Sequence, residues 1–368
     1  MSFQYFRYSN ELDREFSKTV TARVNSYFAE HHISKNGDYR MVFKTIMMLT
    51  GFFGPYLLIL FFPFQNLASY YLLWAVMGVA MAGIGMGIMH DSIHGSYAKS
   101  PLINKLLGLT LNLMGGNAYV WHMQHNVLHH TYPNIDETDD DIDIPFLLRM
   151  SPHQPRHWFH RFQHLYVWLL YAFATVFWVT SKDFVMLDKY RQRNILKEKN
   201  EYIKRLLNIA VWKVVYFGYL LVLPISMLSI PWYITLSMFV VMHIIGGILL
   251  SIIFQPAHVF TGSDFIQQEE NKIERSWHLY QLQTTTNFKL NPFLTWLSGG
   301  LNYQIEHHLF PHICHVHYPA IARIVKQTVK EFNMPYHLQK NLWGALFLHY
   351  DMLRSLGQEK LVPNQIHS

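Results

Sequence analysis

Histidines are concentrated in three short motifs of this 368-residue chain. The motifs are HDSIH at 90–94, HNVLHH at 125–130 and QIEHH at 304–308. With 23 histidines in the chain, chance gives about one H-x-x-x-H pair, but only about 0.1 of an H-x-x-x-H-H motif. The three motifs together therefore indicate a metal site rather than coincidence.

The spacing of the first two motifs brings imidazoles onto common helix faces. Residues four apart on an α-helix share a face, so His90 and His94 can reach one point, and His125 and His129 can do the same. His130, which is adjacent to His129, then lies about a quarter-turn away from this shared face. This arrangement leaves His130 available for a second metal ion.

The third motif repeats the pattern with Gln304, His307 and His308 at i, i+3 and i+4. A further histidine, His258, follows the last long apolar stretch in the segment QPAH, where we expect Pro256 to end a helix. Imidazole suits iron, copper, zinc and nickel, and so many nitrogen donors exceed the four ligands of one zinc ion. Two metal ions are the natural number.

Membrane helices must position these motifs. Only 15% of the residues are Asp, Glu, Lys or Arg, against about 25% in soluble domains. No charged residue occurs at 45–90 or at 214–263, and each run is long enough for two spans of about 20 residues. We expect two transmembrane helical hairpins, with helices near 45–62, 70–89, 212–229 and 232–254.

Charge sets the orientation of the hairpins. All Lys and Arg lie outside the two uncharged runs, notably in KYRQRNILKEKNEYIKR at 189–205, and such residues stay cytoplasmic. The apolar stretch 162–181 would place the histidine motifs on opposite membrane faces if it crossed, so we expect it to lie at the interface. The predicted fold is an all-α integral membrane protein of four spans with a cytoplasmic, histidine-rich helical cap.

Three segments follow from this pattern: a cytoplasmic N-terminal segment at 1–40, a membrane domain with the metal site at 41–335, and a cytoplasmic C-terminal tail at 336–368. Helical periodicity is visible at 318–332. The single cysteine, Cys314, excludes an internal disulfide and cysteine-based metal clusters. The net charge of +6 suits anionic headgroups or an acyl carrier, and no motif indicates nucleic-acid binding.

The three motifs, written more fully as HDSIH, HNVLHHTYPN and NYQIEHHLFPH, resemble the histidine boxes of the membrane fatty acid desaturases. The glutamine of the third box is similar to that of front-end and related bacterial acyl desaturases. The resemblance implies two iron ions and one extra ligand between the last span and the third box, which matches His258. The implied ligands, which are also the implied catalytic residues, are His90, His94, His125, His129, His130, His258, Gln304, His307 and His308.

Two features depart from the front-end pattern. Three residues rather than two separate the histidines of the second box, and His122 can also reach that face, so His125 and His122 are alternative ligands. The H-P-G-G signature of a fused cytochrome b5 domain does not occur in the sequence. The resemblance therefore implies a separate electron donor, such as ferredoxin or cytochrome b5 with its reductase.

The implied reaction is the oxygen-dependent removal of two hydrogens from adjacent methylenes of a fatty acyl chain. The substrate carrier is coenzyme A, acyl carrier protein or a lipid, and the expected location is a bacterial inner membrane rather than the endoplasmic reticulum. The alternative is a hydroxylase or ketolase that acts on a lipid chain. A metal transporter or haem carrier would place ionisable residues in pairs deep within spans, where the sequence has only His243.

Two further expectations concern the surroundings of the boxes. Carboxylates of the segment DETDDDID at 136–143, together with Asp91 and Glu306, can orient imidazoles from outside the ligand shell. His243 should make a hydrogen-bonded contact between helices. Gly83, Gly85 and Gly87 should allow close helix packing or leave room for an acyl chain.

Overall fold

The computed structural model is helical and describes residues 7–9, 13–142, 146–266, 272–273 and 275–358. Asp143 and the outer ends of the two predicted terminal segments, 1–6 and 359–368, lie outside the described residues. The chain divides into two compact units that alternate along the sequence. The first contains Asp38–Trp121 and Trp168–Ser251; the second contains the described parts of 4–37, 122–167 and 252–368.

Among the described residues, five helices are long and apolar enough to cross a membrane. They are Tyr39–Phe61, Leu67–Ile93, Trp158–Gln192, Lys199–Met227 and Trp232–His258. Four of them overlap the helices expected from the uncharged runs over nearly their whole length, and each is longer than expected. The third contains the stretch 162–181.

Polar side chains cap the N-termini of the first two of these helices. Asp38 accepts a hydrogen bond from the backbone N–H of Arg40, and Asn66 accepts one from that of Ser69. The expectation that Pro256 ends the fifth helix is wrong, because the helix continues through Pro256 to His258. His258 therefore lies in the last helical turn.

Glycines allow close backbone contact within the first unit. A Cβ atom on Gly78 would lie 2.5 Å from the carbonyl oxygen of Met242, and one on Gly247 would lie 2.6 Å from that of Tyr171. A Cβ on Gly85 would only meet Leu250 at 3.4 Å, an ordinary contact. The tightest of these helix contacts therefore use glycines other than those singled out in the sequence.

Two buried polar clusters also lie in this unit. The Nζ atom of Lys213 donates to Asp183 at 2.6 Å and to the carbonyl oxygens of Trp178, at 3.0 Å, and Gly115. His243 lies 2.7 Å from the hydroxyl of Tyr216 and 3.1 Å from that of Thr175. The predicted interhelical contact of His243 is confirmed.

The second unit has a core of its own. Phe16, Val20 and Val24 of helix Arg14–Glu30 pack in one cluster with apolar residues of helix Tyr318–Glu331. The latter helix confirms the periodicity seen at 318–332. The predicted C-terminal tail contains a packed helix, Leu342–Gln358.

The remaining elements are short. Two parallel strand pairs join Arg7–Tyr8 to Lys272–Ile273 and Asn287–Phe288 to Leu338–Gln339. The remaining α-helices of four or more residues outside the candidate spans are Pro101–Gly108, Thr110–Leu113, Ala118–Trp121, Trp277–Thr284, Pro292–Leu297 and Gln304–Leu309.

Candidate metal centre

The first histidine box lies in the first unit, at the end of helix Leu67–Ile93. The ring centroids of His90 and His94 are 4.7 Å apart, and both rings contact Trp121. The Nδ1 atom of His90 is 3.3 Å from a carboxylate oxygen of Asp91. The expected pairing of the two imidazoles is thus present.

The second box lies in the second unit and is wound as a π-helix, His122–His129. In this winding, hydrogen bonds join residues five apart, and the N–H of His130 donates to the carbonyl of His125 at 3.0 Å. The Nε2 atoms of these two histidines are consequently 3.3 Å apart. The quarter-turn expected for His130 assumed α-helical winding, whereas the π-helix brings its Nε2 atom next to that of His125.

The π-helix also separates the two alternative ligands of this box. His122 is exposed, whereas His125 is buried and its ring lies 5.8 Å from that of His307. The geometry therefore favours His125 over His122 as the metal ligand.

The third box supplies side chains to the same cluster. His307 and His308 lie on the short helix Gln304–Leu309, and the Nε2 atom of His307 is 2.9 Å from that of His130. The side-chain amide of Gln304 donates to Nε2 of His258 at 2.8 Å. Seven of the nine predicted ligands thus lie in this unit.

Nitrogen atoms of these residues form two triads that could each hold a metal ion. The first contains His129, His258 and His308, and the second contains His130, His307 and His308. Within each triad, one nitrogen from every residue lies within 4.8 Å of the others, and all five side chains are buried. His308 is common to both triads.

Three polar side chains hold the outer ring nitrogens. Asp139 lies 3.0 Å from Nδ1 of His129, Gln281 lies 2.7 Å from Nδ1 of His308, and the Tyr318 hydroxyl lies 3.1 Å from Nδ1 of His307. Partners at Nδ1 leave Nε2 for a metal.

The acidic segment supplies one of these partners, as its composition predicted. Asp139 is fully buried and also accepts a hydrogen bond from the backbone N–H of Asn134 at 2.9 Å. Burial lowers the pKa of His129, but the carboxylates of Asp139 and Asp141 outweigh this effect and raise it to about 9. The two carboxylates therefore favour positive charge beside His129.

Glu306 has a different role from the one expected. Its carboxylate accepts hydrogen bonds from the Asn287 amide at 2.7 Å and the Tyr336 hydroxyl at 2.9 Å. Burial raises its pKa to about 7. Asn287 also accepts from the N–H of Ile305 at 2.9 Å, so this network fixes the backbone of the third box.

Asn134 joins the second box to the end of the fifth long helix. It has a positive φ of 57°, which asparagine tolerates better than most residues. Its amide donates to the carbonyl oxygen of His258 at 3.1 Å and to the hydroxyl of Ser263 at 2.7 Å. Asn134, Gln281 and Tyr318 were not predicted from the sequence. Gln281 is a polar residue on the buried side of helix Trp277–Thr284, a position that only the structure reveals.

The donor set fits iron. Among the described residues, Nε2 of His308 and Oε1 of Gln304 are buried without a hydrogen-bond partner. Such atoms are costly to bury unless a ligand satisfies them. Imidazole and neutral oxygen donors are suitable for a first-row transition metal such as iron.

Comparison with known families decides the class of the protein. The family model described as fatty acid desaturase matches residues 67–340. The chain belongs to this family. The desaturase is therefore an oxidoreductase that inserts a double bond into a fatty acyl chain, and the sequence-based interpretation is confirmed.

Curated relatives extend over most of the desaturase. It is 34% identical to the sn-1 linoleoyl-lipid 6-desaturase of Synechocystis sp., over 94% of this chain and 96% of the relative. It is 35% identical to the protein of the same name from Arthrospira platensis, over 93% and 92%. It is 37% identical to the acyl-lipid (8-3)-desaturase of Physcomitrium patens, over 95% of this chain and 73% of the relative.

Proposed function

We propose that the desaturase acts on an acyl chain esterified in a membrane lipid, at a centre of two iron ions. The observation that carries the metal assignment is the pair of buried nitrogen triads, in which three Nδ1 atoms have polar partners. The names of the similar proteins, which include linoleoyl-lipid and acyl-lipid, support the lipid carrier.

The proposed ligand set is the one implied by the three boxes and the extra histidine. It consists of His90, His94, His125, His129, His130, His258, Gln304, His307 and His308. Burial of the two nitrogen triads supports it.

The substrate explains why metal chemistry is needed. An unactivated methylene has no acidic proton and no leaving group, so acid–base or nucleophilic side chains cannot attack it. When bound, iron supplies the activation of dioxygen that removes two hydrogens, while an external donor provides two electrons and two protons so that two waters form.

The protein side chains prepare the site for this chemistry. Asp139 holds Nδ1 of His129, so that Nε2 keeps its lone pair for a metal. The Glu306 network holds the third box through Asn287. Burial of these groups excludes water, which strengthens every electrostatic interaction in the site.

We place the centre on the cytoplasmic side of the membrane, with four helices crossing as two hairpins and the stretch 162–181 at the interface. The cations at 189–205 support this orientation. A bacterial inner membrane is the proposed location, and a separate redox protein such as ferredoxin or cytochrome b5 is the proposed electron donor.

Expression in a host whose membrane lipids carry linoleoyl chains tests the function. We expect mass spectrometry of fatty acid methyl esters to show a product with one additional double bond, first in the intact lipid fraction rather than in the acyl-CoA pool. His308→Ala should give no product at equal protein level. A hydroxylated product, or a product that appears first on coenzyme A, would contradict the proposal.

A further inference from the structure

The side chain of Gln281 bridges two histidine boxes. It is fully buried on helix Trp277–Thr284, where its Oε1 atom is 2.7 Å from Nδ1 of His308. Its Nε2 atom donates to the carbonyl oxygen of His130 at 3.3 Å. One amide thus contacts a third-box side chain and the second-box backbone.

This pair of contacts fixes the direction of the amide. A backbone carbonyl can only accept a hydrogen bond, so the NH2 group of Gln281 must face His130. The amide oxygen then faces His308, whose Nδ1 must carry the proton and donate it. Nε2 of His308 is left with its lone pair. Of the two ring nitrogens of His308, it is the one that has no hydrogen-bond partner among the described residues.

His308 occupies a special position between the two nitrogen triads, because it belongs to both. Its ring stacks on that of His130 at 4.3 Å with an interplanar angle of 20°, and it is tilted by 57° against that of His258. A rotation of the ring would therefore change which triad its Nε2 atom serves.

We infer that Gln281 is a positioning residue that sets the tautomer and ring orientation of His308 and thereby assigns this ligand between the two metal positions. The inference rests on the proposed iron centre. The three outer partners differ in chemistry: His129 has a charged carboxylate, whereas His307 has a neutral phenol and His308 a neutral amide. The neutral acceptor leaves His308 a weaker donor to metal than His129, since a carboxylate partner raises the basicity of an imidazole more than an amide does.

Two substitutions separate positioning from mere packing. Gln281→Leu removes the acceptor of His308, while the carbonyl of His130 keeps the indole N–H of Trp277 as a donor at 3.2 Å. Gln281→Glu keeps an acceptor for His308 but turns a second oxygen toward the carbonyl of His130, which costs stability. A matched control is Gln283→Leu, which removes a hydrogen bond between the same helix and Arg275.

The purified holoenzymes are dialysed against an iron chelator, and iron per chain, Mössbauer spectrum and thermal unfolding are measured. We expect Gln281→Leu to lower the affinity for iron about 10- to 100-fold. Gln281→Glu should retain iron with a changed spectrum although it unfolds at a lower temperature, and Gln283→Leu should retain both the iron and the spectrum of the wild type.

The outcomes distinguish this inference from the proposed function. If the wild-type enzyme holds no iron, the iron centre itself is refuted. If the wild type holds two ions and Gln281→Leu holds them equally well with an identical spectrum, only the role of Gln281 is refuted. Iron loss that follows unfolding temperature in all three variants would reduce Gln281 to a packing residue.

Discussion

The Nε2 atoms of His130 and His307 lie 2.9 Å apart, although 177 residues separate them in the sequence. At most one of the two nitrogens can carry a proton between them, and the Tyr318 hydroxyl lies at the opposite nitrogen of His307. Two imidazole nitrogens that face each other in a buried site are arranged to share a cation.

The first prediction separates His125 from His122. His125→Ala should remove iron from the purified enzyme and abolish desaturation, because its Nε2 atom lies 3.3 Å from that of His130 in the buried cluster. His122→Ala should retain both, because this side chain is exposed. Iron analysis and fatty acid profiles of the two variants decide, and the reverse result would assign His122 as the ligand.

The second prediction concerns Asp139. Asp139→Ala leaves Nδ1 of the buried His129 without its closest partner and should reduce desaturation about 10- to 100-fold, with a matching loss of iron. Asp139→Asn keeps an oxygen acceptor and should lose less desaturase activity and less iron than Asp139→Ala.

The control for Asp139 is a carboxylate in the same segment that contacts the histidines from further away. Asp141 is about one-third exposed, and its oxygen is 3.5 Å from Nδ1 of His129. Asp141→Asn should therefore cost less activity than Asp139→Ala. Equal losses would mean that the charge of the segment matters rather than the contact at His129.

The sequence predicted much of this site because ligand types and their spacing are local. It identified seven residues that meet in one unit, and it pointed to the acidic segment that contains Asp139. It did not predict the contact between His130 and His125, because the choice between α- and π-helical winding depends on packing around the helix. It also failed at Gln281 and Tyr318, because nothing local distinguishes them from other buried polar residues.

The fold likewise has features that the local sequence predicts and features that depend on packing. Uncharged runs predicted four of the long helices, since lipid-facing segments exclude charge over their whole length. The same criterion missed the extension of the first helix back to Tyr39 past Lys44, a lysine that is almost fully buried. Length and composition alone also do not separate the stretch 162–181 from a crossing helix.

The third prediction concerns the buried ion pair of Lys213 and Asp183, whose side chains are 8% and 0% exposed. Lys213→Met leaves a buried carboxylate without its cation and should destabilise the enzyme by about 3–5 kcal/mol. The double variant with Asp183→Asn removes both charges and should recover part of this loss. Thermal unfolding in detergent measures the difference, and equal stability of the single and double variants would contradict the argument.

The fourth prediction tests close helix packing. Gly247→Ala should lower the unfolding temperature, because its Cβ would lie 2.6 Å and 2.7 Å from the carbonyl oxygens of Tyr171 and Ala172. Overpacking of this kind costs about 1–3 kcal/mol. Gly218→Ala is the matched control, since no atom lies within 4 Å of its added Cβ.

The fifth prediction concerns pH and His349, which is fully buried on helix Leu342–Gln358. Burial lowers the pKa of its imidazole to about 4, although its Nδ1 atom hydrogen-bonds the carbonyl of Val259. An unfolded chain takes up this proton near pH 6.5, so the neutral ring stabilises the fold above that pH. This stability should fall by about 3 kcal/mol as the pH drops from 6.5 to 4. His349→Gln does not titrate, so its unfolding free energy should depend less steeply on pH across this range, while its difference from wild type should be constant above pH 7. Identical pH slopes for the two proteins would show that His349 is already protonated in the folded state or accessible to water.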